Sequence, residues 1–199
     1  MHMSFPYNSP LHNTSFNEPV PDLKDILFHS QNESGTLTPT WMLKMDDVYE
    51  DMSAMEVDGE TMFNPCFGFK MFARRQVSGY RMTQNYANSR VHHSRIWFIV
   101  PLDNSTPTLF NYMHNGKIIE STSIVRLINI GGEEYNQIMW QATFENSHLE
   151  HVEIIRDYVM IALSVSTGEQ KVFKYNKDGT KGGQAVSSYD YATNTGEKE

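Results

Sequence analysis

One cysteine in 199 residues, Cys66, leaves the sequence without an internal disulfide and without a cysteine-based zinc site. Stability has to come from a core or from assembly. No run approaches the roughly 18 apolar residues of a membrane span, and the first residues, Met-His-Met-Ser-Phe-Pro, lack the basic and apolar regions of a signal peptide. The expectation is synthesis in the cytoplasm, no membrane insertion, and export, if any, without a cleaved signal. Basic residues are also short, at 16 against 24 acidic ones, for a net charge of −8. That is the wrong sign for a phosphate backbone and excludes nucleic acid as the main partner. Catalytic spacings are missing too: there is no Gly-x-Ser-x-Gly, no phosphate-binding Gly-x4-Gly-Lys, no His-Glu-x-x-His and no Gly-x-Gly-x-x-Gly. The reading is not an enzyme, with no cofactor and no metal.

What is present divides the chain. Residues 1–40 hold five of the eight prolines among Asn, Ser, Thr and His, the composition of a flexible N-terminal extension. Only Asp22-Leu-Lys-Asp-Ile-Leu-Phe28 within it can pack. A folded domain is expected over 41–195, with a tail at 196–199.

Inside that domain the dominant period is two. Ile138, Trp140, Ala142 and Phe144 alternate with Gln137, Met139, Gln141 and Thr143, and Val159, Ile161, Leu163 and Val165 repeat the pattern. Ile124 to Ile130 leads into Gly131-Gly132, where a tight hairpin requires positive φ. Ser166 to Glu169 reads as a second turn into Lys171–Tyr175. Arg95 to Val100 and Ile124 to Ile130 are apolar on both faces, more than one small barrel interior needs, so neighbouring subunits are expected to cover the excess.

One segment breaks the alternation. Thr106-Pro107 through Asn115-Gly116 has a hydroxyl for the cap, proline in the first turn and glycine at the stop, which predicts a helix of about ten residues. Leu109, Phe110 and Met113 form the stripe expected to pack on the barrel. A lone helix among many strands predicts a mainly β chain, a small antiparallel barrel or sandwich with one flanking short α-helix.

Other clusters carry less. His92-His93 and His148-x-x-His151 are neighbours one and three apart, which on strands point to opposite faces and do not converge on one metal ion. Lys177 to Gly183 reads as a mobile Gly-rich loop, with too few carboxylates for calcium. Asp46, Asp47, Glu50, Asp51, Glu56, Asp58 and Glu60 form an acidic block, read as an exposed loop. From Thr61 to Leu102 there is no acidic residue, yet Lys70, Arg74, Arg75, Arg81, Arg90 and Arg95 all occur. The two blocks either pair within one subunit or form complementary faces that bring identical subunits together.

Several of these features stand in an order that resembles the Hcp (haemolysin-coregulated protein) family, tube proteins of the type VI secretion systems of Gram-negative bacteria. The resemblance rests on Ser89-Arg90-Val91-His92-His93, the strand Ile96–Val100, Leu102-Asp103-Asn104-Ser105-Thr106-Pro107-Thr108-Leu109-Phe110 with Gly116, Phe144-Glu145-Asn146-Ser147, and Tyr175 with Gly179-Thr180-Lys181-Gly182-Gly183. It extends from about Ser89 to Thr195 and is thin from Trp41 to Asn88, where Trp41–Met45 would be the first strand and Phe67 to Arg75 the second. A short connection, Glu153 to Asp157, and the forty-residue extension depart from the pattern.

The resemblance implies a two-sheet β-barrel assembled into homohexameric rings that stack into a hollow tube. Such a tube works with sheath proteins, a spike protein and effectors, and is ejected when the sheath contracts. On this reading Asp46, Asp47, Glu50, Asp51, Arg74, Arg75 and Arg81 are the candidate subunit or ring-stacking interface. The alternatives are a phage-like tail-tube protein, a monomeric β-barrel ligand-binding protein and, behind both, a carboxylate-dependent hydrolase.

Overall fold

The computed structural model describes residues 19–27, 40–49, 57, 62–75, 91–128, 137–193 and 195–198. In chain order these form α1 (Leu23–Ile26), β1 (Trp41–Met45), β2 (Asn64–Pro65), β3 (Gly68–Lys70), β4 (Ala73–Arg75), β5 (Val91–His93), β6 (Ile96–Pro101), α2 (Thr106–Asn115), β7 (Ile118–Ile128), β8 (Gln137–Ile155), β9 (Tyr158–Ser164), β10 (Thr167–Tyr175), β11 (Lys181–Asp190) and β12 (Thr195–Lys198). The chain is mainly β and its strand pairings are antiparallel.

The pairings run from β2 through β1, β7, β8, β9 and β6 to β3. Closure of this series falls to two consecutive residues. Cys66 donates its N–H to the Trp41 carbonyl on β1 at 2.9 Å, and Phe67 donates to the Ile99 carbonyl on β6 at 2.8 Å. The stretch from β2 to β3 thus acts as one bent strand that joins the two ends of the series, and closure removes two open edges. The hairpin of β8 with β9 and β10 continues past the barrel, where β10, β11 and β12 form a polar wing.

Alternation explains the interior. Ile96, Phe98 and Val100 from β6, Val159, Ile161 and Leu163 from β9, and Ala142 and Phe144 from β8 meet in one core with Leu109 of α2. Ile138 does not share that face. Trp140 pairs with Arg126 but Ile138 pairs with Leu127, so Met139 is an extra residue. Such a bulge reverses the alternation beyond it, and Ile138 packs outside with Met42, Val125 and Leu127.

The strands that are apolar on both faces are covered by this same chain, not by neighbours as the sequence led us to expect. Trp97, Ile99, Met160 and Ala162 on the outer face of β6 and β9 lie beneath Ile26, Leu23 and Leu27. Met42, Val125 and Leu127 lie beneath Val57 and Phe63. Residues 22–27 of the run 22–28 therefore pack as its composition permits, and Ile26 is 2% exposed. The rest of residues 1–40, apart from 19–21 and Thr40, lies outside the described residues.

Three connections differ from the sequence reading. Thr167 to Glu169 already belong to β10, so the turn is confined to Val165 and Ser166. β8 runs on to Ile155, leaving a two-residue turn at Arg156 and Asp157 in place of the longer link from Glu153. Of the expected tail 196–199, Gly196 to Lys198 are part of β12, paired with β11. The hairpin between β7 and β8 pairs as anticipated, with Ile128 opposite Gln137, while Gly131 and Gly132 lie outside the described residues.

Candidate functional site

The acidic block begins where β1 stops. Asp46 donates its N–H to the Ser121 carbonyl, and the N–H groups of Val48 and Tyr49 both turn back to the Met45 carbonyl. Asp47 sits at φ 59, a left-handed position that Asp tolerates better than most residues. The turn drives Val48 and Tyr49 into the core and leaves Asp46 half-buried and Asp47 exposed. Asp47 faces α2, where burial, and after it the Asp47 charge, raises the Tyr112 phenol above its ordinary value. The described start of the acidic block, Asp46 and Asp47, is thus a turn anchored by two buried residues, and Val57 is buried as well, while Glu56, Asp58 and Glu60 lie outside the described residues. Glu50 and Asp51 lie outside the described residues.

Of the basic block, Arg74 and Arg75 are carried by a separate two-stranded ribbon. Ala73, Arg74 and Arg75 of β4 pair with His93, His92 and Val91 of β5. Its root is clamped where Phe72 donates its N–H to Ser94 Oγ at 2.8 Å and Ser94 returns its N–H to the Phe72 carbonyl at 2.9 Å. The His93 ring stands 4.3 Å from that of Tyr189 and 4.7 Å from that of Tyr191, tying the ribbon to the wing. Burial, and then the neighbouring His92, holds His93 below the usual histidine range, which favours the neutral ring that packs there. Arg74 is exposed beside this anchor. Arg81 lies outside the described residues.

Strand direction relates the two blocks. β1 is antiparallel to β7, β7 to β8, β8 to β9 and β9 to β6, so β1 and β6 run the same way. Asp46 and Asp47 follow the end of β1, whereas the ribbon precedes the start of β6. The acidic turn and Arg74 therefore occupy opposite ends of the barrel, and among the described residues they form no ion pair with each other.

The helix lies at the acidic end. The Asp103 carboxylate accepts the Ser105 N–H at 2.9 Å and its hydroxyl at 2.5 Å, so Ser105 rather than Thr106 precedes the first helical residue. Gly116 at φ 59 ends the helix, with its own N–H on the Met113 carbonyl and that of Lys117 on the Tyr112 carbonyl. Leu109 is wholly buried, and Phe110 and Met113 are partly buried against the same core.

The other clusters find ordinary uses. His151 bonds Glu153 at 3.2 Å and lies against Trp97, and His148 is exposed. Among the described residues no three His, Cys, Asp or Glu side chains gather to hold a metal. Lys177 to Gly183 is a tight turn rather than a long loop: Asp178 accepts from the Thr180 hydroxyl at 2.7 Å, and Lys181 to Gly183 are already in β11. Among the described residues no helix is long and apolar enough to cross a membrane. Sequence reasoning missed the ion pair of Arg95 with Glu150, 2.5 Å apart. Glu150 is the extra residue of a second bulge in β8.

No protein-family model matches the sequence, and no curated protein matches it either. Solved structures do match. A structure described as a type six secretion system protein superposes with a TM-score of 0.66 at 13% identity, over 79% of this chain and 98% of that one. Hcp1 from Salmonella typhimurium gives 0.58 at 18% identity, over 79% and 97% of the two chains. Hcp2 from the same organism gives 0.53 at 20% identity, over 78% and 98%.

The chain has the Hcp fold. At such identities the likeness establishes the architecture, and it covers nearly the whole of each Hcp chain. The barrel and flanking helix implied by the sequence resemblance are thereby shown.

Proposed function

We propose that this chain is a tube subunit of a type VI secretion system, forming homohexameric rings that stack into a conduit for effectors and are ejected by sheath contraction. The observation that carries the reading, beyond the Hcp fold, is the position of opposite charges at opposite ends of one barrel. Identical subunits stacked head to tail would bring the acidic turn of one toward the basic ribbon of the next, and six copies multiply a contact that is weak singly. In this reading Asp46, Asp47, Glu50 and Asp51 face Arg74, Arg75 and Arg81 across the stack. The role is structural rather than enzymatic and requires no cofactor. Sheath proteins, a spike protein and effectors are the partners, and the route is from cytoplasm to exterior without a cleaved signal. Negative-stain images of the purified protein test this: six-fold rings with a central hole are expected, and particles without rotational symmetry would overturn it.

A further inference from the structure

The ribbon of β4 and β5 leans on the wing through His93. The His93 ring stands 4.3 Å from that of Tyr189 and 4.7 Å from that of Tyr191, and the two tyrosine rings stand 5.1 Å apart, so the three close into one cluster. His93 Nε2 is closed off from solvent and has no hydrogen-bond partner. A neutral imidazole tolerates this, because that nitrogen can be the one without a proton. An imidazolium does not. Both of its nitrogens bear a proton, and Nε2 would become a charged donor with neither water nor an acceptor to receive it.

The described residues that pack on His93 bring it no negative charge. Ala73 of β4, its partner across the ribbon, is uncharged, and Arg74 stands opposite His92. His92 alternates to the other face of β5 and, once protonated, adds positive charge. On the wing, Asp190 alternates with Tyr189 to the other face of β11, and its carboxylate accepts the Ala192 and Thr193 N–H groups at 2.8 and 3.0 Å. Tyr191 keeps its phenol proton, since burial, and then Tyr189, raises it above its ordinary value. The faces of the tyrosine rings attract a cation, but loss of water outweighs that attraction: burial, and then His92, holds His93 below the usual histidine range.

The ribbon depends on that support. Among the described residues three pairs join its strands, and a two-stranded ribbon alone is marginal in water. Its root is fixed to the barrel by the reciprocal bonds of Phe72 with Ser94. We propose that His93 is a proton-operated latch: neutral, it docks the ribbon on Tyr189 and Tyr191, and protonated, it frees the ribbon, with Arg74 and Arg75, to swing about the Phe72–Ser94 root. The sign follows from the two states. A freed imidazole takes its proton near the ordinary 6.5 and the docked one only at lower pH. Docking is therefore complete above that value and weakens as pH falls, by up to about tenfold per pH unit until the docked ring itself titrates. The latch belongs to a single subunit and does not depend on ring formation. Where rings stack through the ribbon, their contact follows the same pH dependence.

The test is amide hydrogen exchange on the full chain at pH 7.5 and pH 5.5, read as protection factors so that the intrinsic pH dependence of exchange drops out. Protection of β4 and β5 should fall roughly three- to tenfold at the lower pH while β6 and β9 keep theirs. His93→Phe, which keeps a ring but takes no proton, should give the same protection at both values. His92→Gln should lose protection at pH 5.5 as the parent does. Independently of any variant, NMR titration of the His93 Cε1–H should give a midpoint below 6.5. Protection of the ribbon that ignores pH, a pH dependence that survives in His93→Phe or vanishes in His92→Gln, or a His93 midpoint at or above 6.5 would overturn the latch.

Discussion

The carbonyl oxygen of Ile26 lies 2.7 Å from the point where a Cβ on Gly68 would stand, closer than a side chain permits. Ile99 Cγ1 lies 2.8 Å from the same point. Leu27 bridges Gly68 as an added antiparallel contact at the edge of β3. The extension can lie on the barrel because residue 68 has no side chain, and what it covers is the outer face carrying Trp97, Ile99, Met160 and Ala162.

Gly68→Val should therefore lift residues 19–27 and expose that face. Overpacking at a close backbone approach costs about 1–3 kcal/mol. Hydrogen exchange at Leu23 to Leu27 should accelerate in the variant before that of β6. Equal protection in both proteins would show that the extension is held elsewhere.

The helix gives a second expectation. Leu109 is fully buried among Phe98, Ile161 and their neighbours, so Leu109→Ala should cost about 2–5 kcal/mol through lost burial and a cavity. Phe110 keeps part of its ring in solvent, and Phe110→Ala should cost less. Urea unfolding of the two variants checks both the sign and the order.

Much of this architecture was legible because it follows from period and punctuation. The helix over Thr106–Asn115 and the left-handed Gly116 rest on local chemistry, a proline, a stripe and a glycine, and local chemistry survives folding. The face assignment of Ile138 failed because a bulge at Met139 shifts the register, and bulges leave no mark in alternation. The cover on β6 and β9 was misassigned for a different reason. A strand apolar on both faces states that something lies over it but not what, and here the cover comes from Leu23, Ile26 and Leu27, far upstream of both strands and beyond any local pattern. In the candidate interface, the two charged blocks were visible as composition. That Asp46 and Asp47 sit at the opposite end from Arg74 became readable only through the chain of strand directions from β1 to β6.

Alkaline pH offers a third test. Burial pushes the Cys66 thiol up to about 12 from an ordinary value of 9.0. Between those values the unfolded chain releases a proton that the folded chain keeps, so stability is fully present below about 9 and declines as pH rises, with a slope approaching about 1.4 kcal/mol per pH unit for one group. Tyr49, raised well above its ordinary 10.0 by burial and Asp103, adds a loss of the same sign. Cys66→Ala should flatten the decline measured by urea unfolding at pH 9 to 11. An unchanged slope would mean that the thiol is not held protonated.

Stacking by charge predicts a salt dependence. The Debye length falls to about 3 Å at 1 M salt, which screens exposed pairs while apolar contacts survive. Stacks should therefore separate into rings before rings dissociate, and Arg74→Glu with Arg75→Glu should give rings that do not stack while melting as the parent does. A lower melting temperature with stacking unchanged would return the arginines to pairing within one subunit.

The central claim is that this barrel is made to assemble with copies of itself, and sedimentation velocity at tens of micromolar tests it most directly. The account predicts a principal species near six times the 22.9 kDa of one chain, with larger multiples at low salt. A single sharp boundary at the mass of one chain, unchanged as concentration rises, would contradict it.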